Sequence, residues 1–262
     1  MRVALSVILA ALAVPALAGE PYSPIPLQPA ETVTPPAELI EAATRLLAAA
    51  NAGDIEAVGT GIAPTVTAVD GALELDIRRH REVIGPAGST VELLVELARY
   101  IGGDYERPAD GGDATPFAIE AELRYIAAAL TDGRPWGTDP MLEGAICSYG
   151  YRSFDQQAVR SLASELDVMG SGFVYVDAPH PLRAEPDAGS TTVGTLQPDL
   201  LYALDYRTRA PGRWMAIHLP EGGSGFVNFD EVNLEKPYAA GICFSQDGAG
   251  NWLMSGQVST SL

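Results

Sequence analysis

Two cysteines, three histidines and a cluster of C-terminal aromatic residues are the side chains of this sequence best suited to chemistry. Cys147 and Cys243 lie in the apolar contexts GAICSY and GICFSQ, and a lone cysteine pair in an oxidising compartment usually forms one disulfide. Two independent buried thiols stay open as the alternative, because a sequence carries no Cα separation. His80, His180 and His218 are scattered and share no tight ligand spacing with the cysteines, so neither a metal nor a cofactor is implied. Tyr206, Trp214, Phe226 and Phe229 are aromatic side chains of the C-terminal part, of a type that either packs in a core or offers a flat face to a ligand.

Catalytic patterns are missing. Nucleophilic hydrolysis needs a Ser or Cys activated by a positioned base, and the sequence has no G-x-S-x-G elbow. Zinc-hydrolase motifs and glycine-rich phosphate loops are absent as well. Paired carboxylates carry no weight, because a glycosidase is defined by geometry that spacing does not show. Asp104, Glu106, Asp110 and Asp113 are spaced wrongly for a calcium loop and read as a solvated acidic loop.

The chain has 16 basic and 34 acidic side chains, a formal charge of −18. That balance repels nucleic acid and anionic lipid surfaces, and Arg78, Arg79 and Arg81 form only a short basic cluster. Residues 1–18, MRVALSVILAALAVPALA, read as a signal peptide cleaved after Ala18: Arg2, an apolar run, then the small-x-small ending Ala16-Leu17-Ala18. The run is shorter than the ~20 residues that span a bilayer, so stable membrane insertion is not expected. The expected address is periplasmic or extracellular.

Next come the elements that must position these residues. Prolines 21, 24, 26, 29, 35 and 36 make 19–36 an extended linker. From Ala37 the three- and four-residue spacing of Leu39, Ile40, Ala43, Leu46, Leu47 and Ala50 predicts a helix ending near Asn51 to Gly53. One or two short strands follow up to Gly85, with Leu73, Leu75 and Ile77 alternating against polar neighbours. Helices are expected from Ser89 to Ile101, with Ser89 as cap, and from Pro116 to Leu130, with Thr115 as cap and Phe117, Ile119, Leu123, Ile126 and Leu130 inward. A fourth helix follows Ser153, whose spacing to Gln156 matches a capping box. Tyr149, Tyr151 and Arg152 beside Cys147 resemble a carboxylate- or sugar-gripping set, with packing around a disulfide as the plainer reading.

Beyond Phe173 the pattern is all β. Pro181-Leu182-Arg183-Ala184, Gly194-Thr195-Leu196, Leu201-Tyr202-Ala203-Leu204, Trp214-Met215-Ala216-Ile217 and LPEGGSGFV at 219–227 follow one another with short turns. This succession resembles the bacterial Src-homology-3-like domains and covers about 60 residues of the chain. The resemblance implies a small, strongly bent barrel in an exported bacterial protein that binds a peptidoglycan peptide or a cell-envelope protein. Phe226 stands where the family commonly has Trp, which keeps apolar volume and loses the indole donor. After the barrel, Ile242 to Phe244 and Trp252 to Met254 flank a turn at Asp247-Gly248, a further hairpin carrying Cys243.

The fold class expected is α+β: a mainly helical α+β domain over 37–168, then a barrel with an extra hairpin over 173–262. A Cys147–Cys243 bridge would fix the orientation of one against the other. The function expected is non-catalytic binding or scaffolding in the cell envelope, through Tyr206, Trp214, Phe226 and Phe229. The alternative is a cell-wall hydrolase with its site in 37–168.

Overall fold

The structure, a computed structural model, describes residues 21–70, 80–100, 112–131, 133–169, 172–232, 234 and 240–259. The expected signal peptide, the alternation of Leu73, Leu75 and Ile77, and the acids Asp104, Glu106 and Asp110 lie outside the described residues.

Helix α1 (Ala37–Ala52) begins directly after Pro36, where a residue lacking an N–H costs the helix nothing. It stops at Gly53, whose φ of 67° suits a residue without Cβ, and Leu39, Ala43, Leu46 and Ala50 form its buried stripe. Helix α2 (Ile55–Gly61) is not announced by periodicity, because Gly59 and Gly61 lower its helix propensity. Asp54 starts it by accepting the Ala57 N–H at 3.0 Å.

Helix α3 (Thr90–Ala98) is capped by Ser89 as expected, through the Glu92 N–H at 3.2 Å. Helix α4 (Thr115–Thr131) departs from expectation twice. Asp113 takes the Thr115 N–H, so Thr115 is the first helical residue rather than the cap, and Phe117 is 40% exposed while Glu122 is fully buried. In helix α5 (Gln156–Leu166) the cap is Asp155, which accepts from the Gln157 and Ala158 N–H groups, and not Ser153.

Four helices cover one five-stranded sheet. Strands β2 (Ile62–Asp70), β3 (His80–Ile84), β4 (Ile146–Cys147), β11 (Gly241–Gln246) and β12 (Trp252–Ser259) lie in the order β3-β2-β12-β11-β4, antiparallel except for the parallel pair β12 and β2. Alternation along the strands separates two faces. Ile242, Phe244 and Met254 face the helices and pack with Leu39, Leu46, Leu94, Leu97 and Ile126. Cys243 and Val258 face the other way, against Leu142, Ala145 and Tyr149. The C-terminal hairpin thus completes the sheet of the first unit, although chain order put it with the barrel.

The second unit contains two sheets. One has the order β1-β8-β5, from β1 (Ile25–Pro26), β8 (Leu200–Ala203) and β5 (Phe173–Val174); the other has the order β7-β6-β10-β9, from β6 (His180–Arg183), β7 (Thr192–Leu196), β9 (Trp214–His218) and β10 (Ser224–Asn228). A bridge between Leu204 and Ile217 connects them. Among the described residues neither sheet closes on itself. Strand β8 is buried on both sides: Leu201 and Ala203 face α5, while Tyr202 and Leu204 face Leu182, Leu196 and Ile217. Helix α5 therefore packs in the second unit, not with the helices that precede it. The architecture is mixed α+β.

The segment read as a linker is also part of the fold. Ile25 and Pro26 pair with Leu201 and Leu200, and Ile25 and Leu27 are buried. Proline prevents a residue from donating to a ladder, yet an edge strand tolerates it, and β1 is an edge.

Candidate functional site

The hairpin of β9 and β10 carries two of the four candidate aromatics. Its turn reverses through Gly222 and Gly223, with φ of 97° and 81°, and the Leu219 N–H closes it on the Gly223 carbonyl at 2.9 Å. This pairing sets the register in which Trp214 opposes Asn228 and Ala216 opposes Phe226. The next residue, Phe229, donates its N–H to the Arg213 carbonyl at 2.9 Å. Trp214 and Phe229 thus lie at the same end of the hairpin, Trp214 half-buried and Phe229 37% exposed.

The other two lie apart from that end. Phe226 is only 8% exposed, so its ring is committed to packing. Tyr206 is 53% exposed and follows β8, with its ring beside Gly172 near the end of α5. Among the described residues the four rings do not stack on one another.

Asp205, one residue before Tyr206, is a buried carboxylate that the sequence does not single out. It accepts the Ser224 hydroxyl and the N–H groups of Arg207 and Thr208, at 3.0 and 3.1 Å for the two amides. Burial opposes its charge, but the hydrogen bonds from Ser224 and Thr208 outweigh burial and hold its pKa below the ordinary carboxylate value. His218 Nε2 stands 3.9 Å away, and burial lowers the His218 pKa despite that carboxylate. A serine, a histidine and an aspartate meet here in the wrong order for a nucleophile. The serine hydroxyl donates to the carboxylate rather than to an imidazole, and the cluster braces the loop after β8.

In the first unit, Cys147 and Cys243 are direct partners on β4 and β11 and form the disulfide, with Cα atoms 3.9 Å apart. The pairing read from sequence is correct. Its expected role is not, because both ends lie in the five-stranded sheet and the bridge does not join the two units. Tyr149 packs beside it, donating to Asp139 at 2.6 Å. Glu122 is a further buried carboxyl: burial pushes its pKa up to about 8, only partly offset by the Gln257 amide at 3.2 Å. It has no exposed surface.

Among the described residues no group of three or more His, Cys, Asp and Glu could hold a metal ion. Among them, too, no helix is long and apolar enough to cross a membrane. No family model matches the chain, and no curated protein or solved structure is found to resemble it.

Proposed function

We propose that residues 173–234 form a Src-homology-3-like barrel that binds a peptidoglycan peptide or a protein of the bacterial cell envelope, in an exported and non-catalytic protein. The observation that carries this reading is the partial exposure of Trp214 and Phe229, two large rings at one end of the β9–β10 hairpin whose register sets them on its two faces. Exposed aromatic side chains on a rigid strand pair give contact area at low entropic cost, and such residues dominate binding where they cluster. Tyr206, 53% exposed, lies apart from that end on the side of α5, and Phe226 is buried in packing. The acidic chain favours a neutral or cationic partner over a polyanion.

The test is retention of the purified protein on insoluble peptidoglycan and on immobilised envelope extract. Trp214→Ala and Phe229→Ala, each with an unchanged far-ultraviolet spectrum, should lower retention about tenfold, the equivalent of 1.4 kcal/mol. Equal retention of wild type and both variants would overturn the site, and no retention of the wild type would overturn the function. Release of soluble muropeptides in the same incubation would replace it with the hydrolase reading.

A further inference from the structure

Helices α1 to α4 and the five-stranded sheet pack among themselves, as do α5 and the two smaller sheets. Among the described residues the extensive contacts between elements all fall inside one unit or the other. Two units so arranged would ordinarily move relative to each other. Residues 22–33 and Arg152 are placed to prevent that.

The first half of this segment belongs to the second unit. The Tyr22 N–H reaches the Pro220 carbonyl at 2.8 Å, its hydroxyl donates to the His218 carbonyl at 2.9 Å, and the Leu27 N–H reaches the Asp199 carbonyl at 2.8 Å. Ile25 and Leu27 are buried with Val159, Leu162, Phe173 and Leu201. The second half runs onto the first unit and the loop that leads out of it. Gln28 and Glu31 donate to the carbonyls of Ser153 and Tyr151, Val33 donates to the Trp136 carbonyl at 2.7 Å, and Glu31 accepts from the Thr138 N–H at 3.2 Å.

Contact with the first unit is close enough to exclude side chains. A Cβ on Gly137 would lie 2.3 Å from the Glu31 carbonyl oxygen, and one on Gly150 would lie 2.9 Å from the Ala30 Cβ. Arg152 fastens the middle. Its Nε donates to the Gln28 carbonyl at 3.1 Å, its guanidinium pairs with the Asp199 carboxylate, and it stands 5.0 Å from the Tyr175 ring centre. The Arg152 side chain is only 15% exposed, which holds the guanidinium in place, while its partner Asp199 is 63% exposed and faces water.

We propose that residues 22–33, fastened by Arg152, are a strap that holds the two units in one orientation and makes them unfold together. The disulfide lies wholly within the first unit and has no part in the coupling.

Two variants weaken the strap without cutting either core. Gly150→Val meets strap atoms first, the nearest being Ala30 Cβ and the Glu31 carbonyl, and Arg152→Ala removes the fastening without a backbone change. Hydrogen exchange during denaturant unfolding would follow amides of β6 to β10 separately from those of β11 and β12. The wild type and a Cys147→Ser, Cys243→Ser double variant should each show coincident transitions for the two groups. In either strap variant, protection of β6 to β10 should separate from that of β11 and β12 by about tenfold or more. Coincident transitions in Arg152→Ala, whether or not Gly150→Val folds, would overturn the proposal, as would separated transitions in the wild type.

Discussion

The first unit covers both faces of its sheet and leaves Ile40, Val83, Val91 and Phe117 exposed on its outside, while the second, more thinly covered, leaves Met169, Val193, Tyr206 and Phe229 exposed. Four helices on one face of the five-stranded sheet and the segment from Met141 to Tyr151 on the other bury Phe244, Tyr149 and the disulfide completely. In the second unit two thin sheets share a core of Leu182, Leu196, Ile217 and Val227, and one helix covers β8. That leaves Tyr206 and Phe229 exposed and Trp214 half-buried. A core covered on both faces supplies stability, and a thin unit supplies surface. The proposed recognition surface lies on the second unit, and the more completely covered core lies in the first.

The contrast is open to direct attack, beginning with the largest expected effect. Phe244→Ala removes a fully buried ring whose centre lies 6.0 Å from that of Trp136, tilted by 51°, and should cost about 3–5 kcal/mol in chemical denaturation. A loss below about 1 kcal/mol would mean that the first unit is not the tightly packed partner. Replacing Cys147 and Cys243 together by Ser frees a loop spanning a sequence separation of 96 and should cost about 2–4 kcal/mol, again read by denaturant midpoint.

Glu122 gives the first unit a pH response. Its folded pKa of about 8 lies above the ordinary 4.5, so between these values the folded protein keeps a proton that the unfolded chain releases. Stability from this group is therefore full below about pH 4.5 and is lost as pH rises through about 8. Thermal midpoints of the wild type should fall across that window, and Glu122→Gln should flatten the decline. An unchanged slope in the variant would assign the response to other groups.

Smaller effects belong to the second unit. Gly223→Ala meets no neighbouring atom, so its cost of about 1 kcal/mol comes only from the backbone at φ of 81°. Arg213→Ala breaks an ion pair with Asp230 in which both side chains are mostly exposed, and should change stability by less than about 0.5 kcal/mol. A larger loss at Arg213 would mark the end of the hairpin near Trp214 as more tightly built than its exposure suggests.

Elements with a strong local signal were legible in the sequence. The stripe of α1, the Ser89 cap of α3 and the glycine turn between β9 and β10 each depend on residues a few positions apart. Helix α2 was hidden by its two glycines, and the inward side of α4 was misjudged at Phe117 and Glu122 because a wide apolar helix face does not mark its own centre. Of the candidate site, the aromatic residues were legible by type. The placing of Trp214 and Phe229 at one end of the hairpin and the burial of Phe226 depend on strand register, and the Asp205 cluster joins residues 19 positions apart.

The sequence by itself determined the acidic balance, the β character of the C-terminal part, the existence of the last hairpin and the identity of the only possible disulfide pair. These rest on composition, on periods of two or 3.6 residues, and on counting. Only the tertiary structure decided that the last hairpin completes the first sheet, that α5 belongs to the second unit and that the proline-rich segment straps the two together. Each of those outcomes is a choice of partner between distant segments. An apolar strand edge or face pairs with whichever surface completes it, and nothing in the strand's own residues states which surface that is.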